Sequence, residues 1–367
     1  MIDRLGNIAK SHASFSRLWL DTVFSLTDKN QDNRQLNYDL RDTAGFILQK
    51  SRTSKCGKVP LSGYVVIKKD KETGKCSYSG VETCSSVWRC PVCASKISER
   101  RRQELSTAVD NWKAKGGEIW LMTLTTPHSI TDNLKQLLLK QSKAITKLKS
   151  HRKYAVDFRS DFGLFGSVRS VEVTHSFANG WHPHFHQLLF LERGKSLFKA
   201  RKLILKLWQS SCSRAGLDIP NHRGLDIRSG DFASDYVSKW GLDFEIAKSN
   251  SKIGKKKTSR TPFQILNDYK NNNDDISAFL FREYAEAFKG KRQLSYSRGL
   301  KDALNIVEKS DIELNNEETA QCFELLKIHR SDWNLIIHHN LSGYVLSLAE
   351  LRGSPSVLDL IRDLRFP

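Results

Sequence analysis

Several features of membrane and secreted proteins are missing from this sequence of 367 residues. It has no apolar run near the length of about 18 residues that a membrane-spanning helix needs. It also has no basic amphipathic segment of the kind that anchors proteins at a membrane surface. Its first residues, Met1-Ile2-Asp3-Arg4, lack the apolar stretch of a signal peptide. The sequence therefore predicts a soluble, cytoplasmic protein with no membrane partner.

Acidic residues are scarce relative to basic ones. Lys and Arg together number 59 against 40 for Asp and Glu, so the formal net charge is +19 and the pI is about 9.6. Hydrophobic residues make up 39% of the chain and aromatic residues 10%, a composition that excludes a disordered protein. A folded protein with this excess of positive charge is expected to bind a polyanion, and nucleic acid is the leading candidate.

The cysteines are clustered, since five of the seven lie in segment 56–93. Clustering of this kind in a cytosolic chain favours zinc, whereas a disulfide framework would be spread through a secreted one. Cys90-Pro91-Val92-Cys93 can direct two thiolates at one tetrahedral zinc, and Cys84 lies close by. The fourth ligand is either Cys56 or Cys76. Four thiolates leave no open coordination position, so the predicted zinc is structural; a thioredoxin-like redox pair is disfavoured because no βαβ pattern surrounds it.

Three histidines alternate at positions 182–186, just before an apolar run. This spacing is that of a β-strand, so His184 and His186 should project from one face and share one cation. A preceding strand at Val168–Thr174 predicts a hairpin in which Glu172 lies across from the pair as third ligand. Two other histidines remain alternatives for that position, His175 and His182. A purely structural role is the alternative for the whole set, because a His-x-His pair alone is a weak motif.

A helix is predicted from Asp231 to Trp240, and it carries Tyr236 and Lys239 on one face. A tyrosine oxygen can attack a phosphate once it has lost its proton, and a nearby lysine stabilises the phenolate or the phosphate charge. Asp235 is the adjacent carboxylate. Alone, the pair is more typical of a half-buried tyrosine beside a solvated lysine.

Three separated stretches resemble the motifs of rolling-circle replication initiators, the plasmid Rep branch of the His-hydrophobic-His (HUH) endonucleases. They are Met122-Thr123-Leu124-Thr125, similar to the first motif of that family, Gly180-Trp181-His182-Pro183-His184-Phe185-His186, similar to its metal motif, and Tyr236-Val237-Ser238-Lys239-Trp240, similar to its nucleophile motif. Their order and spacing agree with the family. The cysteine knuckle and the segment Lys291-Arg292-Gln293-Leu294-Ser295-Tyr296-Ser297 also look like this branch, so the resemblance covers roughly residues 56–300.

The resemblance implies an α+β fold in which a HUH-type antiparallel five-stranded sheet is flanked by helices. An N-terminal zinc-binding module and a small C-terminal helical region accompany it. The chain is accordingly divided into four predicted segments: an N-terminal helical segment at 1–50, a cysteine-rich zinc module and basic helix at 51–115, a nicking domain at 116–305, and a small C-terminal helical region at 306–367.

The resemblance also implies a reaction. His184 and His186 would bind Mg²⁺ or Mn²⁺, and Tyr236 would be the nucleophile that nicks one DNA strand at a double-strand origin. Transesterification would leave a 5′-phosphotyrosine and a free 3′-OH, and the ends would later be rejoined to end replication. The implied partners are origin DNA, single-stranded or in a hairpin as well as double-stranded, and a host helicase.

The chain departs from the family pattern at Phe232. Some relatives carry a glutamate at this position, four residues before the tyrosine, where it activates water in the closing step; Asp235 and Asp231 are the nearby carboxylates here. No second tyrosine follows one turn later, because Trp240 occupies that place. Two further readings stay open: a relaxase or single-strand transposase of the same superfamily, and a non-catalytic zinc-containing DNA-binding protein whose histidines are structural.

Overall fold

The computed structural model describes residues 29–229, 231–239, 259–317 and 321–366. Its helices are α1 Lys29–Ile47, α2 Pro91–Ala114, α3 Leu134–Ser150, α4 Arg159–Asp161, α5 Leu197–Arg214, α6 Asp231–Lys239, α7 Pro262–Asn272, α8 Asp275–Ala287, α9 Leu300–Ala303, α10 Asp311–Asn316, α11 Arg330–His338 and α12 Ser342–Arg365. Its strands are β1 Tyr64–Asp70, β2 Cys76–Ser79, β3 Glu118–Leu124, β4 Gly166–Ser176, β5 Gly180–Leu191, β6 Leu225–Arg228, β7 Ser259–Arg260, β8 Leu294–Tyr296 and β9 Cys322–His329. None of the described helices combines the length and the apolar composition that crossing a bilayer requires.

The elements form two compact units, one from the described residues of Met1–Cys84 and Glu317–Pro367 and the other from Ser85–Asn316. In the first unit, β1 is the middle strand of an antiparallel sheet in the order β2-β1-β9. The predicted helical region at 306–367 thus also contains a strand, since β9 pairs with β1. Of the predicted N-terminal helical segment, residues 1–28 lie outside the described residues.

The second unit contains the whole predicted nicking segment and is built on an antiparallel sheet of six strands. The strand order is β6-β3-β5-β4-β7, and β8 also pairs with β4. Six strands are found where five were expected, because the short strands β7 and β8 pair with separate parts of one edge of β4, at 175–176 and 168–170. Between them, at 171–174, no described strand pairs with that edge, so β4 is open there.

The long hairpin of β4 and β5 determines which residues share a face. Gly180 begins β5 with φ +72°, and a Cβ at this position would lie 2.8 Å from the Cα of Ile130. Glycine is therefore required both by the backbone conformation and by the lack of space. In the resulting register Glu172 pairs with His184 and Val171 pairs with Phe185. The first pair points to one face of the sheet and the second pair to the other.

One face of this sheet packs against α2 and α6. The buried side chains of this core include Leu105, Val109, Ile119, Val168, Leu188, Phe190, Ala233 and Val237. Tyr236 packs against the same cluster. The apolar residues Ala233 and Val237 thus hold α6 on the sheet, and the helix holds Tyr236 over the face that carries His186.

Candidate active site

The register of three strands brings polar residues together on one face of the sheet. Glu172 of β4 lies directly opposite His184 of β5, and Ser170 lies opposite His186. On the other side of β5, Thr123 of β3 is also opposite His186. Directly opposed residues of antiparallel strands point to the same face. These five side chains therefore form one polar patch, to which we refer as the histidine patch.

The Tyr236 hydroxyl reaches this patch from α6. It lies 2.6 Å from Ser170 Oγ and donates a hydrogen bond to Glu172 Oε1 at 3.0 Å. The centroids of the Tyr236 and His186 rings are 5.1 Å apart. The structure thus brings the predicted nucleophile to two of the predicted metal ligands, although they are far apart in the sequence.

The His186 ring is held from both sides. Its Nε2 lies 3.3 Å from Glu172 Oε2, and its Nδ1 lies 3.0 Å from Thr123 Oγ1. A partner at one ring nitrogen fixes the orientation of an imidazole and the tautomer that the other nitrogen presents. Thr123 and Ser170 have no predicted role in the sequence. Ser170 could have been identified from the sequence, because it is two residues from Glu172 and so points to the same face of the strand. Identifying Thr123 requires knowledge of the register between β3 and β5.

Electrostatics favour a carboxylate at Glu172 and a neutral imidazole at His184. Burial raises the pKa of Glu172. Hydrogen bonds with His186 and Tyr236 and electrostatic interactions with His186 and His184 outweigh this effect and hold the pKa below its ordinary value. Burial, followed by the neighbouring His182 and His186, lowers the pKa of His184 to about 4. Neutral imidazole nitrogens beside a carboxylate are a donor set that suits a divalent cation such as Mn²⁺. The chemistry of the residues therefore fits the predicted ion.

The three expected ligands are close together but do not converge on one point. The ring centroids of His184 and His186 are 6.1 Å apart, while Glu172 contacts His186. Among the described residues, these three do not appear as a group whose ligand atoms all lie within 4.8 Å of one another. Binding of one shared ion would therefore require the His184 ring to turn toward His186.

The two alternative histidines differ in position. The His182 ring centroid lies 4.1 Å from that of His184 and 4.3 Å from that of His128, so the rings form a row that leads away from the patch. Burial and the neighbouring His128 lower the pKa of His182 to about 4. His175 lies on the opposite face, where its ring is 4.8 Å from Trp181. Only His182 is therefore on the face of the patch.

Three residues predicted near the nucleophile lie on α6. Asp235 directly precedes Tyr236, and its side chain is exposed. Lys239 is the last residue of the helix, one turn after Tyr236, and its side chain lies outside the described residues, as does all of Trp240. Phe232, one turn before Tyr236, is 51% exposed, and the guanidinium carbon of Arg228 lies 5.1 Å from its ring centroid.

A cavity of about 340 Å³ opens beside the histidine patch. Its wall includes Glu172, His184 and His186, the open edge of β4 at 171–174, and aromatic residues that include Trp88. The cavity falls at the low end of the range, about 300–1,000 Å³, that is usual for ligand pockets. A bound group could therefore approach the patch through the unpaired edge of β4.

Four cysteines form a second candidate metal site. The Sγ atoms of Cys56, Cys84, Cys90 and Cys93 all lie within 4.8 Å of one another. Of the two expected alternatives, Cys56 is therefore the one that lies with the other three cysteines. Cys76 lies in β2, where its backbone amide donates a hydrogen bond to Glu350. Cys90 is the N-cap of α2 and Cys93 is in its first turn, where the helix dipole favours thiolates. This set could bind zinc.

The chain is similar to known replication proteins. A family model described as "Replication protein" matches residues 77–341. "Protein rep" of Streptomyces lividans is 31% identical over 159 residues, which cover 36% of this chain and 34% of the relative. "Neomycin resistance protein" of Streptomyces cyanogenus is 29% identical over 135 residues, covering 30% and 31%. "Protein rep" of Lentilactobacillus hilgardii is 24% identical over 232 residues, covering 61% and 66%.

These matches differ in extent. The chain spans about a third of the length of the two Streptomyces relatives, 34% and 31%. The family model, in contrast, extends over the histidine patch, Tyr236 and three of the four clustered cysteines, since it begins at residue 77. No solved structure matches the chain.

Proposed function

The chain belongs to a family of replication proteins, and from this premise we propose that it initiates plasmid rolling-circle replication by nicking one DNA strand at a double-strand origin. In the proposed reaction Tyr236 becomes joined to the 5′ phosphate, a free 3′-OH is left, and the ends are later rejoined. The observation that carries the proposal is the hydrogen bond from the Tyr236 hydroxyl to Glu172, whose other oxygen faces His186.

Proton removal from the tyrosine is the first requirement, because an ordinary phenol has a pKa near ~10. Tyr236 already donates its hydroxyl proton toward Glu172 Oε1, so this carboxylate is placed to accept the proton as the phenolic oxygen attacks phosphorus. The bond between Tyr236 Oη and phosphorus forms while the bond from phosphorus to the 3′ oxygen breaks, and the 3′ oxygen takes up a proton. One phosphodiester replaces another, so the 3′-OH can later reverse the step.

His184, His186 and Glu172 would hold the Mg²⁺ or Mn²⁺ ion. When bound, such an ion polarises a non-bridging oxygen of the scissile phosphate as a Lewis acid. Thr123 orients the His186 ring through Nδ1, and Ser170 holds the tyrosine hydroxyl through its contact of 2.6 Å.

Two residues of α6 complete the proposed chemistry. We propose that Lys239, one turn after the nucleophile, stabilises the negative charge of the phenolate or of the phosphate. Asp235 is the carboxylate proposed for the closing step, because the phenyl ring of Phe232 cannot activate water. Both residues lie within one turn of Tyr236 along α6, which supports the proposal.

The proposal extends to zinc and to partners. Cys56, Cys84, Cys90 and Cys93 would hold one structural Zn²⁺, since four thiolates leave no position for a substrate. DNA is the proposed partner, in single-stranded, hairpin or duplex form, and the positive net charge of +19 supports it. A host helicase is a further proposed partner, because a nicked duplex must be unwound before it is copied. Plasmid DNA lies in the cytoplasm, which is the proposed location.

A covalent-adduct experiment tests the proposal. The protein is incubated with Mn²⁺ and an origin-like single-stranded oligonucleotide that is labelled on the 3′ side of the expected nick. A denaturation-resistant labelled adduct is expected, and peptide mapping should assign it to Tyr236. Tyr236→Phe should form no adduct but should still bind the oligonucleotide. Tyr64→Phe, which alters an exposed tyrosine of β1, is the matched control and should form the adduct normally.

Three outcomes would contradict the proposal in different ways. An adduct on Tyr154, Tyr284 or Tyr296 would show that a different tyrosine is the nucleophile. A free 5′-phosphate together with cleavage by Tyr236→Phe would indicate a hydrolytic nuclease. Binding without any cleavage under all conditions would favour a non-catalytic DNA-binding protein.

A further inference from the structure

A second cavity, of about 170 Å³, lies along the same edge of β4 and carries positive charge. Arg169, Lys291 and Arg292 line it, together with the hydroxyl groups of Ser142 and Ser295. Val171 lines both this cavity and the one beside the histidine patch, so the two are neighbours along β4. We refer to the second one as the basic cavity.

Arg169 is the central cation of the basic cavity. Strand parity sets it on the face opposite the histidine patch, where its guanidinium carbon lies 5.7 Å from the Phe185 ring centroid. Burial lowers the pKa of Arg169. Burial and then the charge of Arg169 lower the pKa of Lys149 to about 8, and the same two causes, with Lys135, lower that of Lys291. Three cations thus share one half-buried region.

Two carboxylates near this region pair with cations other than these three. Arg292 pairs with Glu308 at 3.4 Å, and Lys135 pairs with Glu286 at 3.7 Å. Within the part of the chain that the structure describes, no carboxylate forms an ion pair with Arg169, Lys149 or Lys291. Partly desolvated positive charges without a counter-charge are unfavourable, and a bound anion would relieve that cost.

The walls of the basic cavity are fixed by hydrogen bonds. The backbone carbonyl of Lys291 accepts a bond from Trp88 Nε1 at 2.7 Å. The Gln293 amide nitrogen donates to Ser98 Oγ at 2.8 Å, and its buried Oε1 has no hydrogen-bond partner among the described residues. The segment that presents Lys291 is therefore held in place before any ligand arrives, which lowers the entropic cost of binding.

We propose that the basic cavity binds a phosphodiester group of the DNA strand that enters the candidate active site, with Arg169 and Lys291 as its charged ligands. This inference rests on the proposed function, because it takes the bound strand to be the one cleaved at Tyr236. Arg169 is three residues from Glu172 along β4, so their backbone positions are about 10 Å apart at ~3.3 Å per residue, with the two side chains on opposite faces of the sheet. An extended DNA strand crosses that distance within a few nucleotides, and the edge of β4 that no described strand pairs begins at Val171, between the two positions, and includes Glu172.

The test measures binding alone, in full-length, zinc-loaded protein that carries Tyr236→Phe. The dissociation constant for a fluorescent single-stranded oligonucleotide of twenty thymidines is determined as a function of salt. Arg169→Gln and Lys291→Gln should each weaken binding and reduce the slope of log affinity against log salt, and the double variant should reduce it by about 0.7 in total, the value for one phosphate contact on a single strand. Because both side chains contact the same phosphate, the double variant should lose less affinity than the sum of the two single losses.

Lys202→Gln is the matched control, since it removes the same charge from an exposed position of α5. Its effect, if any, should add to that of either cavity variant. Additive losses for Arg169→Gln and Lys291→Gln, or unchanged salt slopes, would overturn the proposal in favour of a diffuse basic surface. If Arg169→Gln fails to fold, the two variants at Lys291 decide the question. Lys291→Gln should reduce the salt slope, and Lys291→Arg should restore it.

A free anion is the other source of phosphate, and inorganic phosphate serves as its probe. Suppose that inorganic phosphate raises the melting temperature of the protein but not that of Lys291→Gln, and that oligonucleotide affinity is unchanged in both cavity variants. The cavity then binds free anions, and the proposal is wrong. The outcome is separate from that of the adduct experiment. Cleavage by Tyr236→Phe would refute the proposed nucleophile but would leave the salt slopes interpretable.

Discussion

At the scale of single residues, Glu172 connects the two halves of the candidate active site. Its Oε1 accepts the hydrogen bond from Tyr236, and its Oε2 lies 3.3 Å from His186 Nε2. One carboxylate can therefore both receive a proton from the nucleophile and contribute to an ion site on its other side. Accepting the proton and binding the ion both depend on the negative charge of Glu172. Thr123 and Ser170, which have only hydroxyl groups, could do neither in the same way.

Replacing Glu172 by Gln keeps the size of the side chain and removes this charge. We expect Glu172→Gln to slow nicking about 10²–10⁴-fold, the usual contribution of a general base, even at saturating Mn²⁺. Initial rates of oligonucleotide nicking against Mn²⁺ concentration measure this. A wild-type rate at saturating Mn²⁺ would refute the assigned role.

Thr123→Val is expected to act differently, because Thr123 only orients His186. Loss of such a supporting hydrogen bond typically weakens metal binding about 10–100-fold. The Mn²⁺ concentration for half-maximal nicking should therefore rise by at least tenfold, while the rate at saturation changes much less. Thr146→Val, an exposed threonine of α3, is the control and should leave both quantities unchanged.

The two histidines with lowered pKa values also predict how stability depends on pH. The pKa values of His182 and His184 are about 4 in the folded protein, against about 6.5 in an unfolded chain. Between these values the unfolded chain binds more protons, so the free energy of unfolding should fall as the pH is lowered from about 6.5 toward 4. The double variant His182→Gln/His184→Gln should show a shallower fall in urea titrations at several pH values, without added divalent ion. An identical pH dependence in the variant would contradict this prediction.

At the scale of secondary-structure elements, the parts of the fold with regular patterns could be predicted from the sequence. The alternation in β4 and β5 predicts the hairpin and the position of Glu172 opposite His184, and the helix predicted at 231–240 is found at Asp231–Lys239. These predictions succeed because period and turn residues act over short distances.

Elements that depend on distant partners could not be predicted in this way. β7 has two residues and β8 has three, too few to show a period, so the sequence does not predict the sixth strand of the sheet. β9 is stabilised by pairing with β1, which is distant in the sequence. The contact of Thr123 with His186 likewise depends on the register between β3 and β5. The candidate site residues follow from motifs, whereas the contacts that support them depend on the tertiary structure.

The beginning of α2 gives a prediction at the same scale. Cys90 is the N-cap of this helix, and its side chain makes no capping hydrogen bond; a bond from its thiolate to zinc would hold this end of the helix. Native mass spectrometry should find one zinc per chain. Cys90→Ser should lose it and lower the melting temperature, because binding of a structural zinc contributes directly to folding. Cys212→Ser, at a buried thiol of α5, should keep its zinc; a zinc-free and equally stable wild-type protein would refute the assignment.

At the scale of the whole molecule, the excess of positive charge determines how the protein meets its partner. The net charge of +19 attracts any polyanion at long range, independently of its sequence. Chemistry and the position of the bound strand must then come from particular sites, and the histidine patch and the basic cavity are proposed for these two tasks. Affinity that arises from charge depends strongly on salt, whereas the geometry of the histidine patch does not.

Binding of single-stranded DNA should therefore weaken steeply as salt increases. If about six phosphates are contacted, the slope of log affinity against log salt is about −4, so affinity should fall more than a hundredfold between about 50 and 200 mM salt. Duplex DNA of the same length should give a steeper slope for the same number of contacts, because each duplex phosphate contributes about 0.9 against about 0.7 for a single strand. Fluorescence anisotropy with matched single-stranded and duplex probes measures both slopes. A slope near zero for both probes would show that the positive charge does not contact nucleic acid and would refute DNA as the partner.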